Sequence, residues 1–201
     1  MKNTGRIVLY LLILVVVASS LHKYVFTLQG LPPNFEGRPI GLYTHIFAAI
    51  VALLLGPLQF STKLRQRKRQ LHRWLGRAYL GIGILAGGLS GLYMALTSHG
   101  GPLVKTGFAC LALLWLYTGF KAYSAIRAGD IAQHRAYMVR NFSLTLAAVT
   151  LRIYLPLLMM SGVDFDTTYT LVAWVSWVPN LILAEIVWNR ARALPVRAPM
   201  A

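Results

Sequence analysis

The chain has 201 residues, 57% of them hydrophobic and only 12% charged, with a formal net charge of +15. A soluble domain of this size needs far more polar surface, so that class is excluded. The charge does not point to nucleic acid either. Lys and Arg cluster between apolar runs, at Lys63 to Arg77, Lys121 to Arg140 and Arg190 to Arg197, as the positive-inside rule asks of cytoplasmic loops. Such clusters also suit anionic lipid headgroups at the inner face.

The apolar runs are long enough to cross about 30 Å of hydrocarbon. They predict an all-α polytopic membrane protein with six spans, at about 7–28, 38–61, 73–97, 103–127, 133–161 and 168–190. We read one transmembrane domain over 1–201, with a first span within 1–30 and a four-helix core over 38–161. A last span over 166–191 and a basic tail over 192–201 complete it. Met1 to Ser20 has signal-peptide features, with Lys2 and Arg6 before an apolar stretch and Val17-Ala18-Ser19-Ser20 after it. It reads better as an uncleaved first helix.

Turn and polar residues mark the breaks. These are Gly30-Leu31-Pro32-Pro33-Asn34, the basic stretch Ser61 to Gln70, His99-Gly100-Gly101-Pro102, Ala128-Gly129-Asp130, and Ser161 to Asp166. Asp130, with Gln133 three residues on, predicts an N-cap with a capping box. Counting charges puts both termini and the loops near 68 and 130 inside, in a bacterial inner membrane. The loops near 33, 100 and 164 then lie outside with Glu36, Asp164 and Asp166. Trp174, Trp177 and Trp188 are expected as interfacial anchors. Cys110 is alone in an apolar run and reads as a packing residue.

Two segments echo each other: Gln70-Leu71-His72-Arg73-Trp74 and Ala132-Gln133-His134-Arg135-Ala136. Each His-Arg pair begins an apolar span at the inner face. Spans two and three form a hairpin around a basic loop, and spans four and five do the same. The echo therefore suggests two parallel repeats about an axis along the membrane normal.

Helical spacing gathers further polar residues into stripes. Span two offers His45, Ala48, Ala49, Ala52, Gly56 and Gln59 on one face. Span three offers His72, Gly76, Tyr79, Gly83, Gly87 and Ser90, with Gly83, Gly87 and Gly91 as a small-xxx-small run. Span five offers His134, Asn141, Thr145 and Arg152. His45 and Arg152 fall in the outer half. A charged Arg there costs about 2.5–3.5 kcal/mol unless paired or hydrated. Arg140 and Glu185 have similar depth and are expected to pair.

Three readings follow. Membrane b-type cytochromes hold iron between imidazoles on facing helices, with basic residues at the propionates. Here His72 and His134 would ligate the iron, Arg73, Arg77, Arg135 and Arg140 would lie near the propionates, and His45, with His22 or His99, would serve an outer site. The second reading is metal-free quinone or lipid binding by His45 and Arg152. The third is transport of a small solute or proton by a titratable His relay. A zinc site lacks enough converging ligands. No phosphate loop, serine-nucleophile motif or metalloprotease helix appears.

His45, Leu55-Gly56-Pro57-Leu58-Gln59-Phe60 and His72-Arg73-Trp74-Leu75-Gly76-Arg77-Ala78-Tyr79 carry a resemblance, together with Ala128-Gly129-Asp130, His134-Arg135-Ala136-Tyr137-Met138-Val139-Arg140 and Leu151-Arg152. Over roughly residues 40–155 the chain resembles a bacterial membrane protein family, domain of unknown function 2306. The resemblance implies a multi-pass inner-membrane protein and no particular reaction.

Overall fold

The computed structural model describes residues 3–26, 39–97 and 100–193. It is helical, with no strand among those residues. Six stretches are long and apolar enough to cross a membrane: Ile7–Tyr24, Pro39–Gln59, Arg69–Thr97, Pro102–Arg127, Ile131–Met160 and Phe165–Ile186. The chain is an all-α polytopic membrane protein.

Helix α1 spans Asn3–Leu21 and ends in a π turn, His22–Phe26; α2 spans Pro39–Gln59. The basic stretch, expected as a loop, contains a short helix α3, Thr62–Arg67, capped by Ser61 accepting from the Leu64 amide at 3.2 Å. The third span is α4, Arg69–Ala78, a π segment, Tyr79–Ala86, and α5, Gly87–Thr97. The fourth is α6, Pro102–Arg127, with proline in its first turn, where no amide partner is lost. The fifth is α7, Ile131–Thr145, and α8, Ala147–Met160; the sixth is α9, Phe165–Val175, and α10, Val178–Ala193.

Two corners share one chemistry. Gly129 and Gly162 take positive φ, 79° and 87°, a conformation that glycine adopts without a Cβ penalty. Asp130 then caps α7 by accepting from the Gln133 amide at 2.8 Å. The other half of the expected capping box is replaced: the Asp130 amide donates to the Ala125 carbonyl at 2.9 Å, closing α6. Asp164 caps α9 through the Thr167 amide at 2.9 Å.

Spans two to five form the core of the bundle, with α2 against the π segment and α5, and α6 against α5 and α7. Small residues allow that approach. A Cβ on Gly83 would lie 3.0 Å from the Ala52 Cβ and 3.1 Å from its Cα, and one on Gly87 3.1 Å from the Ala48 Cβ. Steps of four on both helices thus mesh antiparallel, as the small-residue run predicts. The first span packs Ile13, Val16 and Val17 on Leu53, Phe142 and Val149. The sixth lies on the other side. Its Trp177, expected as an interfacial anchor, is instead buried in the core and donates to the Ala173 carbonyl at 2.8 Å. Trp188 has its side chain outside the described residues.

Gly83→Leu should lower the thermal midpoint in detergent, at a cost of about 1–3 kcal/mol or more for overpacking. Gly81→Leu, with open space around its Cβ position, should leave it nearly unchanged. The amide of Thr167 holds the Asp164 carboxyl below the usual carboxylate range. A depressed carboxylate supports the fold above its unfolded value, about 3.9, and loses that as pH falls through its folded value. The protection of the first-turn amides of α9, measured relative to intrinsic exchange at each pH, should therefore hold at neutral pH and fall only below about pH 4. Asp164→Ala should lower that protection at neutral pH and make little further difference once the carboxyl is protonated.

Candidate functional site

The polar side chains of the core fall into three levels along the bundle. The central level is a closed network. Tyr79 and Asn141 have no exposed surface, and the Tyr79 hydroxyl donates to Asn141 Oδ1 at 2.7 Å. Asn141 Nδ2 donates to the Trp115 carbonyl at 2.8 Å and to Thr118 Oγ1 at 2.9 Å. Trp115 Nε1 donates to Thr145 Oγ1 at 2.9 Å, and Thr145 in turn donates to the Asn141 carbonyl at 3.0 Å. Three spans are joined by bonds that satisfy each other, which a low-dielectric interior demands. Tyr79 and Asn141 are 62 residues apart, the same offset as His72 and His134. Equivalent positions that meet one another are what an axis between two repeats requires.

The second level is the end that carries the basic loops. His134 Nδ1 lies 2.8 Å from the Ala122 carbonyl. A carbonyl only accepts, so Nδ1 carries the proton and Nε2 keeps a lone pair. His72 lies within electrostatic range of His134, Arg65 and Arg73. The structure thus brings the two echoed histidines together. Their surroundings differ. His72 Nδ1 is buried and has no hydrogen-bond partner among the described residues, and neither does Nε2 of Gln59. Gln59 is 8% exposed, and its Oε1 is 3.1 Å from where a Cβ on Gly76 would stand, one helical turn from His72. In the second hairpin α6 runs on past Ala122 and offers its carbonyl; in the first, α2 ends at Gln59, two residues after Pro57. No carbonyl among the described residues meets His72 Nδ1 there.

The arginines divide. Arg140 forms a bidentate pair with Glu185, as expected, one bond at 2.9 Å and the other between Nε and Oε1. Its guanidinium also lies 5.3 Å from the Tyr137 ring. Arg77 lies 4.9 Å over the Trp74 ring, on an exposed face. Arg73 and Arg135 are exposed. Arg65, which sequence reasoning passed over, stands near His72.

The third level is the far half. His45 Nδ1 lies 2.9 Å from the Gly87 carbonyl, and a Cβ on Gly91 would be 3.0 Å from the ring. Arg152 does not share the interior face of Asn141 and Thr145. The fifth span breaks at Leu146, where the Val149 amide bonds three residues back at 2.9 Å, so a count of unbroken turns misplaces it. Arg152 is turned out toward the first span and donates to Ser20 Oγ at 3.0 Å and to the Ala148 carbonyl at 2.9 Å. His22 is exposed in the π turn after α1. His99 lies outside the described residues. Among the described residues no group of three or more His, Cys, Asp or Glu could hold a bare metal ion.

A family model described as "Predicted membrane protein (DUF2306)" matches residues 42–188. The chain belongs to this family. No curated protein matches, and no solved structure does. The matched region holds His45, His72, His134, Arg152 and the whole central network, so the features described here lie within the family's own domain.

Tyr79→Phe should destabilise the protein by about 1 kcal/mol, near the range for hydrogen bonds between membrane helices. Asn141→Leu, which removes three bonds at once, should cost more, on the order of 2–3 kcal/mol, although Thr118 keeps the Leu114 carbonyl and Tyr79 keeps Thr145. Unfolding titrations in mixed micelles measure both. Equal losses would show that the network does not act through Asn141.

Proposed function

We propose that this is a redox-linked protein of the inner membrane that holds a b-type haem between His72 and His134 at the basic end of its core. What supports the reading is the state of the two imidazoles. His134 has its Nδ1–H tied to the Ala122 carbonyl, which fixes the ring and offers Nε2 as a ligand. His72, within electrostatic range on the third span, has a buried nitrogen with no partner among the described residues. A buried polar nitrogen left unpaired is costly unless something else meets it.

The remaining residues suit that role. Arg65, Arg73 and Arg135 are available at the same end for anionic propionates, whereas Arg140 is committed to Glu185 and Arg77 lies on Trp74. When bound, haem would supply one-electron chemistry, with its potential set by the axial imidazoles and their surroundings. The chain's own part is to orient two rings, balance charge, and close the space above them. The Tyr79–Asn141 network closes the centre with fully bonded side chains, which favours a held group over a through-going path for a solute. Orientation follows from charge: Lys63, Arg65, Arg67, Lys68 and Arg69 crowd one loop, so that end and both termini are cytoplasmic, beside anionic headgroups.

The test is the visible spectrum of protein purified from haem-replete cells and reduced with dithionite. A Soret band with sharp α and β bands is expected, lost in His72→Ala and His134→Ala and kept in His45→Ala. A colourless preparation, or bands that survive both inner-end substitutions, overturns the reading.

A further inference from the structure

Arg152 is a charge inside a span with no ion pair among the described residues, and its geometry is unusual. The fifth span runs from the basic end at Ile131 to the far end at Met160. Arg152 therefore starts roughly 12 Å below the far end, at 1.5 Å per residue. A long basic side chain near a helix end normally snorkels toward water. This one is held back from it. Nη1 bonds the Ala148 carbonyl, one turn deeper, and Nη2 bonds Ser20 Oγ, about 6 Å below the far end of the first span, so the guanidinium lies within a depth of roughly 6–18 Å.

Among the described residues no acidic group at that depth neutralises it. The described acidic residues, Asp130, Asp164, Asp166 and Glu185, lie at or near the ends of spans. The guanidinium has five N–H donors but makes two hydrogen bonds among the described residues, both to neutral oxygens, Ser20 Oγ and the Ala148 carbonyl. Ser20 is itself fixed, since it donates to the Val16 carbonyl at 2.7 Å. Arg152 keeps exposed surface beside the first span, while its bond to Ser20 is partly buried. It is thus a donor held at two points, with unused capacity among the described residues.

His45 supplies the complementary group. It lies within electrostatic range of Arg152. Its Nδ1–H is spent on the Gly87 carbonyl, so a neutral ring keeps its Nε2 lone pair as an acceptor. Gly91, with no side chain, leaves the ring its place. Measured from Pro39, His45 is about 9 Å below the far end, and Gly87 is about 15 Å below it, both within the range of the guanidinium.

We propose that Arg152 and His45 bind the polar head of a lipid-soluble quinone, entering from the lipid beside α1. The pairing of donor and acceptor fits a head whose oxygens are carbonyls when oxidised and hydroxyls when reduced. A carbonyl accepts from the guanidinium, and a hydroxyl donates to Nε2. Depth selects this class over an anionic phospholipid. A phosphate would have to leave the headgroup layer by about 6 Å or more, whereas a neutral ring on an isoprenoid tail already resides in the hydrocarbon. The site is distinct from the inner-end histidines and does not depend on haem being bound there.

The full chain in phosphatidylcholine nanodiscs, titrated with decylubiquinone, should show saturable quenching of tryptophan fluorescence. Arg152→Gln should raise the apparent Kd about tenfold or more, a loss of one good charged hydrogen bond. His45→Ala should raise it less, and protein from haem-depleted cells should give an unchanged Kd, which separates this site from the haem reading. Quenching that is unsaturable, or a Kd unaltered by Arg152→Gln, overturns the proposal. A parallel series without quinone, in discs containing phosphatidylglycerol, reads lipid retained after delipidation. Arg152-dependent retention there, with no quinone saturation, overturns it in favour of an anionic headgroup. Should Arg152→Gln not fold, Arg152→Lys decides the matter. It keeps the charge but loses the planar fork, so a several-fold weaker Kd is expected and an unchanged one counts against the site.

Discussion

The hydrogen bond from Tyr79 to Asn141 is the contact on which the rest of the core depends. In hydrocarbon no water is available to a phenol or an amide, so each buried polar group must find its partner within the bundle. Tyr79 stands on the third span and Asn141 on the fifth, and the amide also engages Trp115 and Thr118 on the fourth. A shift of any of these helices by one residue would strand several groups at once. The glycine and alanine contacts bring backbones close but tolerate sliding; the network fixes the register.

That register determines where the histidines end up. His72 and His134 are each seven residues before the bonded pair, about two turns toward the basic end. Because Tyr79 and Asn141 meet, the two rings are carried to the same level. The local ends of the helices then make them unequal. The long α6 gives His134 a carbonyl, while near the end of α2 His72 Nδ1 and Gln59 Nε2 have no partner among the described residues. Near-symmetric repeats with one unsatisfied half are a natural origin for a binding site, since the missing partner can be a ligand.

The far half follows a different logic. There the polar groups do not meet at the bundle axis. Arg152 turns outward because the fifth span breaks at Leu146, and the first span supplies its partner through Ser20. That span lies outside the matched family region, which begins at residue 42, yet one of its serines holds a charge within the outer half of the bundle. The two ends thus differ in character, with polar groups between core helices at one and beside the first span at the other.

Composition and run length alone determined that the chain crosses a membrane six times, because hydrocarbon admits only long apolar helices. Charge matching at similar depth gave the Arg140–Glu185 pair, and glycine followed by aspartate gave the corners. The echo of His72 and His134 was legible as a repeat, and its spacing also contained the Tyr79–Asn141 contact, although nothing marked those two residues as partners until helices were packed. Tertiary structure decided the rest. Which arginines are free depends on neighbours distant in sequence, such as Glu185 for Arg140. Whether Trp177 anchors at an interface or fills the core depends on which helix lies against it. The outward turn of Arg152 depends on one break in a hydrogen-bond ladder, and a helical periodicity counted along the sequence assumes that ladder is unbroken.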